Sequence, residues 1–222
     1  MGFSDDLRSG AADIWAKEQT HPFVKGIGDG SLPLEKFRHY MRQDYVFLID
    51  FCRVISLAVT KTPNVDDMGW FARLLHETLN TEMALHVSFC GDFGVSEEEL
   101  RTTVASPTTR AYTRHMLQTA FAGSAVDIAA VILPCSWGYC EIGQDLKRQG
   151  SPENAPLYGR WIETYASQEF AELAEWLRGY IDRTAAECSP VEQARMEQAF
   201  LISSRYEYMF WDAAYRLEAW PV

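Results

Sequence analysis

Ile128-Ala129-Ala130-Val131-Ile132-Leu133-Pro134-Cys135-Ser136-Trp137-Gly138-Tyr139-Cys140 reads IAAVILPCSWGYC and carries no charge. A helix that is apolar around its whole circumference belongs at the centre of a bundle. The run is too short to span a bilayer, and Pro134 interrupts it. Tyr45 to Val59 is a second run that is apolar almost all round. Two such segments, with helical periodicity between them and no alternating Val/Ile/Thr-rich stretch bounded by hairpin turns, define an all-α chain.

The punctuation outward from these runs predicts the other helices. Ser4 is placed to cap a first helix through about Glu18, broken by His21-Pro22-Phe23. Gly26 to Gly30 reads as a loop with three glycines. A long helix follows from Leu34 to about Thr60, then another from Val65 to about Cys90. Ser96-Glu97-Glu98-Glu99 is a capping-box start. Pro107 to about Ala122 and Ala125 to Gln149 read as helices, and Tyr158 to Thr184 as a helix kinked near Ala166. Ser189-Pro190 caps the last, which runs to about Ala219. No repeat or linker divides residues 1–222, so a single domain is expected.

Composition narrows the function. The chain has 222 residues, is 47% hydrophobic and has a net charge of −11 with no basic run. Nucleic acid and anionic membrane are therefore not the expected partners. Five cysteines, at 52, 90, 135, 140 and 188, include no CxxC. The opening MGFSDDLRSG is polar and acidic, unlike a secretory signal. The expectation is a reduced, cytoplasmic protein with free thiols.

Polar groups on central helices carry the functional information, because burial makes them costly. Asp44 shares a helical face with Phe47 and Phe51, and Cys135 shares one with Tyr139. Pro134 removes a backbone hydrogen bond and displaces the Ala130 carbonyl beside the thiol. Cys135 is either inert packing or a nucleophile in need of an activating base. Glu207 lies among Tyr206, Tyr208, Phe210 and Trp211. It is either a buried carboxylate satisfied by a tyrosine or Arg205, or a proton shuttle raised by desolvation. Glu82 and His86 form ExxxH on one face, a weak metal pattern more common on exposed helices. No HExxH, phosphate-binding loop, dinucleotide fingerprint or GxSxG occurs.

HPFVKGIGDGSLPLEKFRHYMRQDYVFL, TEMALH, PTTRAYTRHM, LPCSWGYCEIG, WIETYASQEF and ISSRYEYMFWDAAYRLEAW occur in that order along the chain. Together they resemble the TenA/thiaminase II family, cysteine-containing branch, over essentially the whole length. The resemblance implies an all-α bundle similar to haem oxygenase, without haem or metal, assembled as a homotetramer. It implies hydrolysis of 4-amino-5-aminomethyl-2-methylpyrimidine, and in many members also of thiamine, to the hydroxymethylpyrimidine for thiamine salvage. It implies Cys135 as nucleophile and Glu207 as the catalytic carboxylate. It implies Asp44 as holder of the pyrimidine's amino group and ring nitrogen, with Phe47, Tyr112, Tyr139, Tyr165 and Phe210 lining the ring. It assigns no metal to Glu82 and His86. Phe47 stands where close relatives often carry tyrosine, and Ser136 and Gly138 are small where relatives are often larger, which leaves the preferred substrate open. Two other readings stay open: a non-haem iron oxygenase of the same architecture, and a non-catalytic pyrimidine-binding protein.

Overall fold

The computed structural model describes residues 2–222, with Leu85 by its backbone alone. Met1 and the Leu85 side chain, which fall within stretches quoted above, lie outside the described residues. Among the described residues there is no strand; the elements are α1 (Phe3–Gly10), α2 (Ala12–Gln19), α3 (Pro22–Asp29), α4 (Leu34–Lys61), α5 (Val65–Glu77), a π-helical turn (Thr78–Glu82), α6 (Met83–Asp92), α7 (Glu97–Arg101), α8 (Pro107–Ala122), α9 (Ala125–Gln149), α10 (Pro156–Tyr165), α11 (Gln168–Ala185) and α12 (Pro190–Arg216). They gather into two compact units: Met1–Pro33 with Ala129–Asp212, and Leu34–Ile128 with Ala213–Val222.

The N-terminal region departs from the sequence expectation in two ways. Ser4 is not a cap. It lies inside α1 with no exposed surface, and its backbone N and hydroxyl donate to the Asp182 carboxylate at 2.7 and 3.2 Å. The expected single helix is two, because the chain turns at Ala11 (φ −104°, ψ 8°). The glycine stretch is helical to Asp29. His21 caps α3 by accepting the Phe23 amide at its Nδ1 (3.1 Å), and Pro22 pre-sets the first turn. A Cβ at Gly26 would come within 3.0 Å of Leu32, and one at Gly28 within 2.7 Å of Leu146. These glycines serve close packing, and only Gly30, at φ 77°, supplies the left-handed stop.

Elsewhere the caps follow their sequence signals. Ser96 and Glu99 exchange hydrogen bonds at the start of α7, and Ser189 and Glu192 do so at α12. Ser167 Oγ accepts from the Phe170 amide, so the expected kink near Ala166 is a full break between α10 and α11. The run expected from Val65 to Cys90 is interrupted by the π-helical turn, which inserts a wider loop of backbone without ending the helix.

The first unit is built on α9. Ala129 to Leu133 have no exposed surface. Around it lie Trp15, Phe23, Trp161, Leu177, Phe200 and Trp211, each at most 3% exposed. Each such side chain contributes about 1.5–3 kcal/mol. In the second unit α4 packs against α5 and α8, and the Glu218 carboxylate accepts from the Thr108 amide and from the Ser106 and Thr108 hydroxyls at 2.8–3.0 Å, holding the start of α8.

Gly143 on α9 sets how closely α10 ends against it. A Cβ there would lie 2.6 Å from the Tyr165 carbonyl carbon and 2.8 Å from the Ala166 nitrogen, both backbone atoms. Gly143→Ala is expected to destabilise the protein by about 1–3 kcal/mol. Gly159→Ala in α10, whose added Cβ meets nothing closer than 3.8 Å, is expected to be neutral or stabilising by about 0.5–1 kcal/mol. Urea midpoints of the two variants against the parent chain check this.

Candidate active site

Five of the eight expected site residues lie in the first unit. Cys135 and Tyr139 are one turn apart on α9, Tyr165 ends α10, and Glu207 and Phe210 are on α12. Aromatic contacts tie these three helices together. The Tyr139 ring lies 4.8 Å from Tyr165, 4.9 Å from Trp211 and 6.0 Å from Trp161, centroid to centroid. Trp161 lies 4.6 Å from Tyr165, and Phe23 lies 5.4 Å from Trp211. The sequence reading missed Trp161 and Trp211; the spacing of Trp211 from Glu207, one turn on, was the available signal. Glu207 is only 3% exposed, so the expectation of a carboxyl group shielded from water is met.

Cys135, like Cys188, is partly exposed, whereas Cys52, Cys90 and Cys140 are buried. Burial pushes the Cys52 thiol up to about 11 and Cys90 to about 12, and raises Cys140 as well. Thiols so disfavoured as thiolates are poor nucleophiles at neutral pH.

Asp44, Phe47 and Tyr112 belong to the second unit. Phe47 stacks on Phe51 at 5.7 Å and meets Tyr112 of α8 at 5.1 Å. Asp44, 5% exposed, faces His86 of α6, with Oδ2 3.3 Å from Nε2. Burial holds His86 down at about 4, against a smaller opposing contribution from a hydrogen bond to the Met41 backbone, so the ring is neutral at physiological pH. The Asp44–His86 contact was not foreseen; the ExxxH spacing drew attention to His86 but towards a metal. Among the described residues no group of three or more His, Cys, Asp or Glu side chains is arranged to hold a metal ion.

A separate open groove of about 740 Å³ runs along another face of α4, lined by Val46, Ile49, Leu57 and Leu117 with Arg53 and Arg114. None of the eight expected residues lines it.

Among the described residues the protein is all-helical, with a partly exposed thiol on a core helix, a shielded carboxyl group and a ring-lined interior, which defines a class of helical proteins with a candidate catalytic interior. The family model TENA/THI-4/PQQC matches residues 8–217, and the chain belongs to that family. An aminopyrimidine aminohydrolase of Halalkalibacterium halodurans is 46% identical over 99% of this chain and 98% of its own length. Among solved structures, a TenA family transcription regulator from Silicibacter sp. TM1040 superposes with a TM-score of 0.89 at 32% identity, covering 95% of each chain. A Shewanella denitrificans domain of unknown function with a heme oxygenase-like fold gives 0.76 at 14% identity, covering 96% of this chain and 92% of that one, which supports the fold alone. The fold is thus the all-α, haem oxygenase-like one expected.

Glu82, at the end of the π-helical turn, supplies a pH test of the second unit. Burial lifts its carboxyl from an ordinary 4.5 to about 7. The unfolded chain releases this proton first as pH rises from 4.5 towards 7, so the contribution of the neutral folded form is full below that window and lost above it. Glu82→Gln is expected to raise stability by about 1–3 kcal/mol at alkaline pH and to change it little in acid. Urea unfolding at the two pH extremes measures the difference.

Proposed function

We propose that the protein is a hydrolase of thiamine-related pyrimidines that converts 4-amino-5-aminomethyl-2-methylpyrimidine to its 5-hydroxymethyl counterpart. The observation that carries this reading is the full-length 46% identity to an aminopyrimidine aminohydrolase, together with the partly exposed Cys135 and shielded Glu207 in one unit.

The chemistry follows from the residue types. Direct displacement of an amine from the pyrimidine's methylene arm is slow. Addition of the Cys135 thiolate to the ring carbon beside the arm-bearing carbon forms a C–S bond and breaks aromaticity, with Glu207 supplying a proton to a ring nitrogen. The electron-rich adduct expels the amine, which leaves with the C–N electron pair and takes up a proton. Water adds to the exposed methylene and loses a proton. Breaking the C–S bond, as Glu207 takes back the ring proton, restores the aromatic ring and the thiolate. Tyr139, Tyr165 and Phe210 offer ring faces for the pyrimidine. Asp44, with Phe47 and Tyr112 as apolar company, is read as accepting from the exocyclic amine. With phenylalanine at 47, that position offers no hydroxyl near Asp44.

The reading extends to thiamine as a second substrate, to salvage as the purpose, and to a cytoplasmic homotetramer acting without metal on a single-domain chain. Helix α9 alone among the described helices is apolar and long enough to cross a membrane, and 83% of its apolar window is buried, as befits a core helix.

Steady-state hydrolysis of the aminomethylpyrimidine and of thiamine, side by side, tests the proposal. Cys135→Ala and Glu207→Gln are each expected to lower kcat at least 100-fold while binding of the hydroxymethyl product, followed by calorimetry, largely survives. Full turnover in either variant would overturn the mechanism. Product binding without turnover by the parent chain would favour the pyrimidine-binding reading.

A further inference from the structure

The first unit holds a second buried carboxyl group that the mechanism above does not use. Glu18, near the end of α2, is 3% exposed, and its Oε1 has no hydrogen-bond partner. Its place follows from the register of α2 and its continuation against α12. Trp15 Nε1 donates to Ser204 Oγ at 3.0 Å, the His21 ring lies 5.4 Å from Tyr208, and His21 Nε2 lies 3.8 Å from Asp212. Residue numbers rise together on both sides of this seam, so Glu18, three residues beyond Trp15, falls opposite Glu207, three residues beyond Ser204.

The room for Glu18 comes from α9. A Cβ on Gly138 would lie 3.9 Å from Glu18 Oε2 and 4.0 Å from the Trp15 ring. These are ordinary van der Waals spacings, so the Gly138 face of α9 packs directly against Glu18 and Trp15. Gly138 is three residues from Cys135, within one helical turn on neighbouring faces. A small residue on the buried helix is thus matched by an acid on α2 that fills the space beside the thiol's turn.

We propose that Glu18 is a positioning residue for Glu207: the two buried carboxyl groups hold a single proton between them, so that Glu207 is kept ready both to give a proton and to take one back. This rests on the reading of Glu207 given above. Like charges that face one another in a shielded site resist ionising together. The charged groups facing Glu18 fit the idea. Burial, then the Glu207 carboxylate, hold Glu18 well above the ordinary carboxylate range; Arg8 opposes this and Glu141 adds to it. Arg8 is itself spent on Glu141 at 3.0 Å and on the Trp15 ring at 4.2 Å, so no cation is committed to Glu18. A pair with one shared proton gives that proton to a ring nitrogen in one half of the reaction, and the like-charge repulsion in the doubly ionised pair left behind favours its recovery in the other.

Infrared difference spectra of the full-length protein, parent minus Glu18→Gln, test the pairing directly; Glu82 contributes equally to both and cancels. A protonated-carboxyl band at neutral pH is expected in the difference. In Glu207→Gln, where the like charge is gone, that band is expected to titrate at least about one pH unit lower. No band in the parent difference, or an unchanged titration in Glu207→Gln, overturns the proposal, and Glu18→Met or Glu207→Met replaces whichever Gln variant folds poorly. With the aminomethylpyrimidine as substrate, Glu18→Gln is expected to shift a limb of the kcat/KM pH profile by at least about one unit while KM changes little. A superimposable profile overturns the positioning role. If the parent hydrolyses neither pyrimidine, the assigned function fails while the spectra still decide whether the two acids share a proton.

Discussion

A helix with no exposed side must have neighbours on every side, and the rest of this molecule answers to that constraint. Ile128 to Leu133 of α9 have no accessible surface, so each element laid against them must meet an apolar wall and leave no backbone group stranded. Beyond Leu133 the same helix turns to small and functional residues. Gly143 admits the backbone at the end of α10, Gly138 admits the Glu18 carboxyl group, and between them Tyr139 stands against Tyr165 and Trp211. The packed half of α9 fixes the axis, and the variable half uses that fixed axis to hold chemistry.

Acidity inside the fold is the second organising feature. The chain is acidic as a whole, and several of its carboxyl groups are shielded from water: Asp44 and Glu207 among the residues assigned to pyrimidine chemistry, Glu18 outside that set, and the half-buried Glu82 in part. Burying a carboxylate is costly, and proteins meet that cost by pairing or by retaining the proton. Here protons are retained at Glu18 and Glu82, and a neutral His86 stands beside Asp44. Such groups reduce stability relative to apolar packing, and their placement beside a thiol, a carboxyl partner and aromatic rings fits proton handling better than structural support. The buried thiols at 52, 90 and 140 are disfavoured as thiolates by the same physics, leaving Cys135 and Cys188 partly exposed, of which Cys135 is the one on the core helix α9.

Much of the helix plan was legible in the chain because its signals are local. Ser96 with Glu99, Ser189 with Pro190, and Pro107 after Ser106 each close a cap within a few residues. The failures have a common cause. Ser4 looked like a cap because its distant partner, Asp182, is invisible to local pattern. The glycines of α3 looked like a loop because close packing against Leu32 and Leu146 leaves no trace at positions 26 and 28 beyond the absence of a side chain. The π-helical turn at Thr78–Glu82 has no recognised composition at all.

By itself the sequence determined the all-α class, the central position of α9, the oddity of a thiol beside Pro134 and the family, because periodicity, caps and ordered motifs are written in consecutive residues. Only the tertiary structure decided which polar groups meet. Glu18 sits between Lys17 and Gln19 and reads as a solvated helix face, yet the register of Trp15 on Ser204 carries it into the interior opposite Glu207. His86 read as a possible ligand, yet the packing of α6 on α4 gives it Asp44. Burial and charge proximity arise from residues far apart in the chain, and it is these that set the protonation states on which the chemistry depends.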